Sequence, residues 1–220
     1  MPPPAPRAEF PAGPASGRAP RPGAEGLAEP LRSRWSPSVF DDRHELDDDE
    51  VAQLLHAAQW APSCGNTQPA TFLVCGRGTP SHKRLVATLS RGNAGWVPRA
   101  SVVFVGVART DREDDPDDGC AGFATYDVGQ AAAHLTLQAR AMGLHAHQFA
   151  GFDRAALAAE MDVPDTHRVL AGIAVGVLGD PDDVDERTAG RDHKERVRRG
   201  LDEVAFTGRW GEEPWRGELR

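Results

Sequence analysis

The sequence predicts an α+β domain built around one central sheet, and two observations lead to that class. First, helical and strand-like segments are intermixed without the steady strand–helix–strand alternation of doubly wound proteins. Second, residues 101–108 (Ser-Val-Val-Phe-Val-Gly-Val-Ala) form an almost uninterrupted apolar run, as expected for a strand buried on both faces. The glycine motifs that bind phosphate in dinucleotide-binding and P-loop folds do not occur. A chain of 220 residues is long enough for one such core.

Helices are predicted from apolar periodicity together with capping residues. The predicted helices span 47–60, 80–89, 123–142 and 153–161. Asp47 can cap the first of them, with Glu50 three residues later completing a capping box. Gly143 is placed to end the long third helix, and Asp153 to begin the fourth. The third helix is rich in small residues, which suits either a dimer seam or an internal packing face.

Strands and loops fill the remaining sequence. The predicted strands are 70–76, 101–108, 144–152 and 169–178, and residues 71–75, 101–108 and 169–178 are predicted to be buried. Segment 110–119 holds six acidic residues and a proline, which predicts a solvated loop. Segment 180–191 is polar and is also predicted to be a loop. Residues 61–69 form a polar loop bracketed by prolines, which suits either an ordinary connection or a ligand with many hydrogen-bonding edges.

Composition limits the organisation and the partners of the chain. Residues 1–30 are rich in Pro, Ala, Gly and Arg and predict a disordered tail, followed by a domain over 31–211 and a short tail over 212–220. The formal charge of −8 and the lack of a dominant basic patch argue against nucleic acid. No apolar run reaches the roughly 18 residues of a membrane helix. Three cysteines without a disulfide pattern predict a reducing, cytoplasmic location.

The segment 31–40 carries chemistry suited to a phosphate. If it is extended, Arg34, Ser36 and Ser38 point the same way, because strand side chains alternate. One cation and two hydroxyls on one side can donate charge-assisted and neutral hydrogen bonds to phosphate oxygens. The alternative is a surface segment whose polarity is incidental.

Several motifs in order resemble those of the FMN-dependent nitroreductase family. Residues 34–40 are similar to the family's R-x-S-x-x-x-F opening, and residues 61–69 to its A-P-S-S-x-N-x-Q-P-W loop. Residues 127–131 match D-x-G-x-A, residues 143–152 resemble the segment beside the flavin, and 196–203 resemble the basic C-terminal stretch. The resemblance implies an α+β fold with a mixed, mostly antiparallel sheet flanked by helices. It also implies a homodimer with FMN at the subunit interface.

The resemblance assigns roles to individual residues. Those expected to contact FMN are Arg34, Ser36, Ser38, Ser63, Cys64, Asn66, Gln68, Asn93, Gln148, Ala150, Gly151, Arg196 and Arg198. The arginines and nearby serines suit the phosphate, the loop suits the ribityl chain and ring edge, and Asn93 suits the pyrimidine edge. A backbone N–H in the turn 149–151 is expected near the flavin N5 atom. Because the flavin carries the chemistry, no indispensable catalytic side chain and no metal are expected.

Some positions depart from the family pattern. Ser38 stands where Lys or Arg is usual, and Ala70 replaces a tryptophan, which predicts extra space nearby. Cys64 replaces a serine and is expected to serve packing rather than redox chemistry. His145 and His147 share a strand face and, with His134 (where Asn is common), could ligate zinc, although structural roles are favoured. Either strand histidine could instead donate a proton in the substrate pocket.

The function implied is a ping-pong oxidoreductase. NAD(P)H delivers hydride to FMN, and a nitroaromatic, a quinone or an activated alkene then takes the electrons. One alternative is an FMN-dependent dehydrogenase or oxidase of a specialised metabolite. Another is a flavin-binding protein without turnover.

Overall fold

The computed structural model of the protein describes residues 24–111, 119–193 and 197–215. The α-helices within these ranges are α1 (Glu29–Ser33), α2 (Asp48–Gln59), α3 (Pro80–Thr88), α4 (Ala124–Ala141), α5 (Arg154–Glu160) and α6 (Glu186–Asp192). The strands are β1 (Ala70–Gly76), β2 (Val102–Arg109), β3 (His145–Phe149) and β4 (His167–Gly176). They form one sheet of order β1-β2-β4-β3, and each neighbouring pair is antiparallel. The α+β class is therefore confirmed.

Strand β2 organises the core because its two faces enter different apolar clusters. Val103, Val105 and Val107 pack on one face with α3 and α5. Val102 and Phe104 pack on the other face with α2 and α4. Successive strand residues point to opposite faces, so an apolar run without alternation fits a strand covered by helices on both sides.

The prediction that 70–76 is a buried strand is wrong in its burial. Strand β1 lies at an edge of the sheet and pairs with β2 alone within the described residues. Cys75 is its only fully buried residue among the seven. An edge strand keeps one side open to solvent or to a partner, which a short apolar sequence does not reveal.

The helix boundaries follow the local chemistry seen in the sequence. The Asp47 carboxylate accepts the Glu50 N–H, and the Glu50 carboxylate accepts the Asp47 N–H, so the capping box is confirmed. The Asp153 side chain caps α5 by accepting the N–H of Ala156. Gly143 follows α4 with a φ of 81°, a left-handed conformation that glycine adopts without steric cost.

Two predictions about local structure are corrected. Segment 31–40 is not extended throughout, because α1 continues to Ser33 before the chain becomes extended at Arg34. Segment 180–191 is not a simple loop, because it contains a 3₁₀ turn and then α6. The Asp185 carboxylate caps α6 by accepting the N–H of Thr188. In the sequence, the pattern Asp185-x-x-Thr188 could have indicated the start of this helix.

Several predicted features fall outside the described residues: 1–23 of the predicted tail, 112–118 of the acidic loop, Arg196, and residues 216–220. Within the described ranges, none of the helices combines the length and apolar character needed to cross a membrane.

Candidate functional site

The segment after α1 runs alongside the edge strand β3. The ring of Trp35 lies 5.9 Å from the ring of His145, and His147 Nδ1 lies 2.7 Å from the carbonyl oxygen of Pro37. Trp96 stacks on His147 with ring centroids 4.2 Å apart. These contacts fix the path of the segment that carries Arg34.

The hydrogen bond to Pro37 fixes the tautomer of His147. A carbonyl oxygen accepts and cannot donate, so His147 Nδ1 carries the hydrogen of this 2.7 Å bond. The neutral ring then has a lone pair on Nε2. The Nδ1 proton is therefore engaged with the backbone, which supports the structural alternative for this histidine over a proton donor. Among the described residues, no cluster of three His, Cys, Asp or Glu has the arrangement of a metal site.

The environment of His147 predicts that the folded protein is less stable in acid. Burial, partly offset by the Pro37 bond and by Asp192, lowers the pKa of His147 from its ordinary 6.5. Below pH 6.5 the unfolded chain therefore binds more protons than the folded one, so the free energy of unfolding falls as pH falls. Burial also lowers the pKa of His82, which adds to the effect. Urea unfolding of wild type and His147→Gln at pH 7.5 and 5.5 measures the contribution. The variant should lose less stability than wild type, and an equal loss would exclude His147 as a cause.

The charge of Arg198 acts on Arg34, although the two residues are far apart in the sequence. Burial, and after it the positive charge of Arg198, lowers the pKa of Arg34. Two guanidinium groups that affect each other in this way can both donate hydrogen bonds to one anion. We call these two residues the arginine pair.

The two serines of the predicted phosphate motif have different environments. Ser36 is exposed and lies close in sequence to Arg34, whereas Ser38 is buried. The backbone N–H groups of Ser38 and Val39 donate to the Asp192 carboxylate at 2.7 and 3.3 Å. A carboxylate at this place opposes a phosphate, so the structure favours Ser36 over Ser38 as an anion contact.

Asn93 supports the turn that follows β3. Its Nδ2 donates to the Gly151 carbonyl at 3.0 Å, and its Oδ1 accepts the indole N–H of Trp96 at 3.1 Å. The Gly151 carbonyl also accepts the Ser90 N–H, and the exposed Ala150 lies beside it. Asn93 keeps one N–H and one lone pair for a ligand, so its principal role is to hold the 149–151 turn in place.

Gln148 contacts helix α4 rather than Asn93 or the 149–151 turn. Its Nε2 donates to Thr136 Oγ1 at 2.9 Å and lies 3.4 Å from the Ala132 carbonyl, both on α4. Neighbouring strand residues point to opposite faces, so Gln148 lies on the opposite face from His147.

Asp192 is a residue that the sequence reasoning missed. It ends α6 and holds the backbone of Ser38 and Val39, which fixes the chain just after Arg34. The misreading of 180–191 as a loop hid this contact. A carboxylate that binds two backbone N–H groups fixes the conformation of the segment that follows Arg34.

The polar loop 61–69 has an unusual backbone. Gly65, Asn66 and Gln68 all have positive φ, between 49° and 57°. The Ser63 hydroxyl accepts the Gln68 N–H at 3.0 Å and closes the loop on itself. Asn66 and Gln68 are exposed, which leaves their amides available to a ligand. Non-glycine residues in this region persist where their surroundings determine the conformation, and such places are often functional.

Cys64 forms a disulfide with Cys120, so its assignment as a simple packing thiol is wrong. The Cα atoms are 5.5 Å apart, and 56 positions separate the two residues in sequence. The Cys64 N–H donates to Asp127 Oδ2 at 3.0 Å, and Gln130 Nε2 lies 3.3 Å from Asp127 Oδ1. The D-x-G-x-A motif at the start of α4 thus supports the loop, a contact that sequence reasoning had not drawn.

A cleft of about 510 Å³ lies beside this loop, between α2, β1 and α4. Apolar side chains, including Leu55 and Phe72, form much of its lining. Ser63, Gln68 and Asp127 supply polar groups at the loop end. Ala70 also lines it, which agrees with the expectation that loss of the family tryptophan leaves space there.

The loop and the arginine pair lie at different edges of the sheet. The loop leads into β1, whereas the segment that carries Arg34 runs beside β3. Three interstrand spacings separate these edges, about 14 Å in total. The described residues of one chain therefore present two separate groups of candidate residues, which we call the two half-sites, rather than one closed pocket.

Comparison with known proteins identifies the chain. A model described as the nitroreductase family matches residues 31–91 and 77–177. A 15.4 kDa protein of Mycolicibacterium smegmatis is 42% identical over 58% of this chain and 82% of its own length. A Rhodopseudomonas palustris protein with the provisional name NADH dehydrogenase/NAD(P)H nitroreductase is 30% identical over 52% of this chain and 66% of its own length.

Solved structures agree with the family match. A structure described as an oxidoreductase containing FMN has a TM-score of 0.76 and 31% identity, and covers 84% of this chain and 92% of its own. A nitroreductase from Exiguobacterium sibiricum in complex with FMN matches the fold with a TM-score of 0.67 at 18% identity, over 80% of this chain and 94% of its own. The fold and the family match place the chain among oxidoreductases. It belongs to the nitroreductase family.

Proposed function

We propose that this protein is an FMN-dependent oxidoreductase that acts as a homodimer and takes its electrons from NADH or NADPH. The observation that carries the proposal is the match to the nitroreductase family, and the arginine pair supports it. Two guanidinium groups that repel each other are stabilised by an anion near both, and a phosphate monoester accepts bidentate hydrogen bonds from such groups. The related oxidoreductase that contains FMN supports this choice of cofactor.

Each part of FMN has candidate contacts among the described residues. Arg34 and Arg198 would hold the phosphate, with the exposed Ser36 beside them. The turn at Gly151, held by Asn93, would lie against the ring. Asn66 and Gln68 would supply amides to the ribityl chain and the polar ring edge, and Arg196 remains a predicted phosphate contact.

The separation of the two half-sites supports a homodimer. In a dimer, the loop of one subunit can meet the arginine pair of the other, as the family resemblance implies. The C-terminal segment 197–215 exposes four large apolar side chains, namely Val197, Leu201, Val204 and Trp210. Exposed apolar residues clustered in one terminal segment favour contact with another chain. We propose that this segment wraps the partner subunit.

The exposed face of α4 provides a specific test of the dimer. Gly129 and Ala133 are exposed on it, one turn apart, and a Cβ on Gly129 would have no atom within 4 Å. We predict that Ala133→Arg converts the dimer to a monomer and weakens FMN binding, because a buried unpaired charge is costly. Light scattering after size exclusion measures the mass. Ala87→Arg, on an exposed position of α3, is the matched control and should stay dimeric. A dimeric Ala133→Arg protein would exclude this face as the seam.

The chemistry divides between the cofactor and the chain. FMN, when bound, supplies the capacity to take a hydride from the nicotinamide and pass electrons to a second substrate at the same place. The chain binds and orients both molecules, and the 510 Å³ cleft next to the loop suits a flat, largely apolar acceptor with one polar edge. Nitroaromatics, quinones and activated alkenes have that character.

A titration followed by anaerobic reduction tests the function. The apoprotein should bind FMN, and NADH or NADPH should then bleach the flavin absorbance rapidly. Addition of a nitroaromatic, a quinone or an enone should restore the absorbance, and the relative rates rank the acceptors. Failure to bind FMN would overturn the proposal. Tight FMN binding without bleaching would instead favour the flavin-binding alternative, and slow bleaching would favour the dehydrogenase or oxidase.

A further inference from the structure

The strongest unexplained feature is the covalent link between the loop 61–69 and the start of the α4 region. Cys64 lies inside the loop, and Cys120 immediately precedes the 3₁₀ turn that leads into α4. Both residues are partly exposed, so a small reductant can reach the pair. The remaining cysteine, Cys75, is fully buried on β1, and burial raises its pKa to about 11. The three cysteines therefore differ sharply in accessibility.

We propose that Cys64 and Cys120 form a reversible redox site for dithiol reductants, and that the oxidised pair keeps the loop 61–69 ordered. The effect on flavin binding described below rests on the proposed function. A thiolate of the reductant attacks one sulfur of the disulfide, and the other cysteine leaves as a thiolate and takes a proton. The second thiol of the reductant then closes on the mixed disulfide. The products are two protein thiols and one oxidised dithiol, so electrons and protons balance.

The backbone of the loop explains why the cross-link matters. Asn66 and Gln68 hold left-handed conformations that cost free energy in non-glycine residues. Outside the disulfide, the described loop is held by short-range bonds, by Asp127 and Gln130 of α4, and by two bonds from Arg109. The Arg109 N–H donates to the Pro69 carbonyl at 3.0 Å, and its side chain donates to the Thr67 carbonyl at 3.1 Å. Cleavage of the disulfide removes the one covalent constraint, so the loop can populate other conformations.

The consequence for a ligand follows from population arithmetic. If the loop has the binding conformation for only a fraction of the time, the apparent dissociation constant rises by the inverse of that fraction. A loop that has the binding conformation about one tenth of the time would bind the ligand about tenfold more weakly. With that population, oxidised protein should bind FMN about tenfold more tightly than reduced protein.

Amide hydrogen exchange tests the site without any flavin. Four amides in the part of the loop from Cys64 to Gln68 donate hydrogen bonds in the structure, those of Cys64, Asn66, Thr67 and Gln68. The apoprotein is compared before and after treatment with dithiothreitol, which is removed under argon. Thiols are counted in a denatured portion of each sample, so that the buried Cys75 is included. Reduction should raise the count from one to three and speed exchange of these amides at least about tenfold. Reoxidation with oxidised glutathione should reverse both changes.

Two variants provide the controls. Cys75→Ala retains the pair and should respond to dithiothreitol as wild type does. Cys64→Ser/Cys120→Ser should exchange fast and ignore the reductant. Three free thiols in the air-oxidised wild type, or unchanged exchange on reduction, would overturn the proposal.

FMN affinity of the oxidised and reduced forms then separates this proposal from the proposed function. Weaker binding after reduction supports both. If amide exchange responds to reduction but neither form binds FMN, the redox site is supported and the proposed flavin function is excluded. If exchange responds but both forms bind FMN equally, the link between the cross-link and the cofactor is wrong.

Discussion

Arg34→Ala should raise the dissociation constant for FMN by one to two orders of magnitude. A hydrogen bond to a charged group contributes about 1.5–3 kcal/mol, which corresponds to a change of roughly 10- to 150-fold. Arg34 is half-buried beside Arg198 and so holds part of its charge away from water. Fluorescence titration of the apoprotein with FMN measures the change.

The same substitution should leave the unliganded fold nearly intact. Arg34 is only half-buried, so truncation of its side chain removes little packing. Arg32→Ala is the matched control, because Arg32 lies two positions earlier, in the last turn of α1, and is exposed. That variant should bind FMN like wild type. Equal affinity in Arg34→Ala and Arg32→Ala would show that the phosphate binds elsewhere.

The elements that the sequence predicted well are those whose signals are local. The Asp47–Glu50 capping box, the Asp153 cap and the Gly143 helix end depend on residues within a few positions, and all three were confirmed. Strand 101–108 was predicted because its apolar run reflects burial on both faces, and β2 has that burial. Local chemistry and periodicity therefore specified most of the helices and strands.

The features that the sequence did not predict depend on distant contacts. Nothing in the spacing of Cys64 and Cys120 indicates that the fold brings them to a Cα separation of 5.5 Å. Asp192 holds the backbone of Ser38 and Val39 only because α6 carries it there. The position of β1 at an edge follows from strand order, which no local pattern encodes. Motif resemblance placed candidate residues in the chain, and the fold then divided them between two half-sites.

Gly179→Ala should lower the free energy of unfolding by about 3 kcal/mol, because no space exists for a side chain at that position. A Cβ there would lie 2.6 Å from the Phe40 carbonyl oxygen and 2.8 Å from the Asp41 nitrogen, so backbone would have to move. That movement would disturb the Gly179–Val39 hydrogen bond and the β-bridge between Phe40 and Leu178. For a domain of this size, the melting temperature should fall by about 6–12 °C.

Gly190→Ala is the control for the general effect of adding a methyl group. Gly190 lies within α6, and a Cβ there would meet no atom within 4 Å. Alanine favours a helix over glycine, so this variant should be as stable as wild type or up to about 1 kcal/mol more stable. Thermal unfolding followed by circular dichroism compares the three proteins. A Gly179→Ala melting temperature within about 2 °C of wild type would contradict the close packing at Phe40.

Gly179→Ala and Arg34→Ala act on the same part of the protein but should differ in what they change. Phe40 stacks on Trp96, which stacks on His147, and His147 binds Pro37 in the segment that carries Arg34. A shift at Phe40 should therefore displace Arg34 as well as loosen the core. At a temperature where Gly179→Ala is folded, it should show both a lower melting temperature and weaker FMN binding. Arg34→Ala should show only weaker binding. If Gly179→Ala binds FMN normally, the aromatic stack supports the core without positioning the anion site.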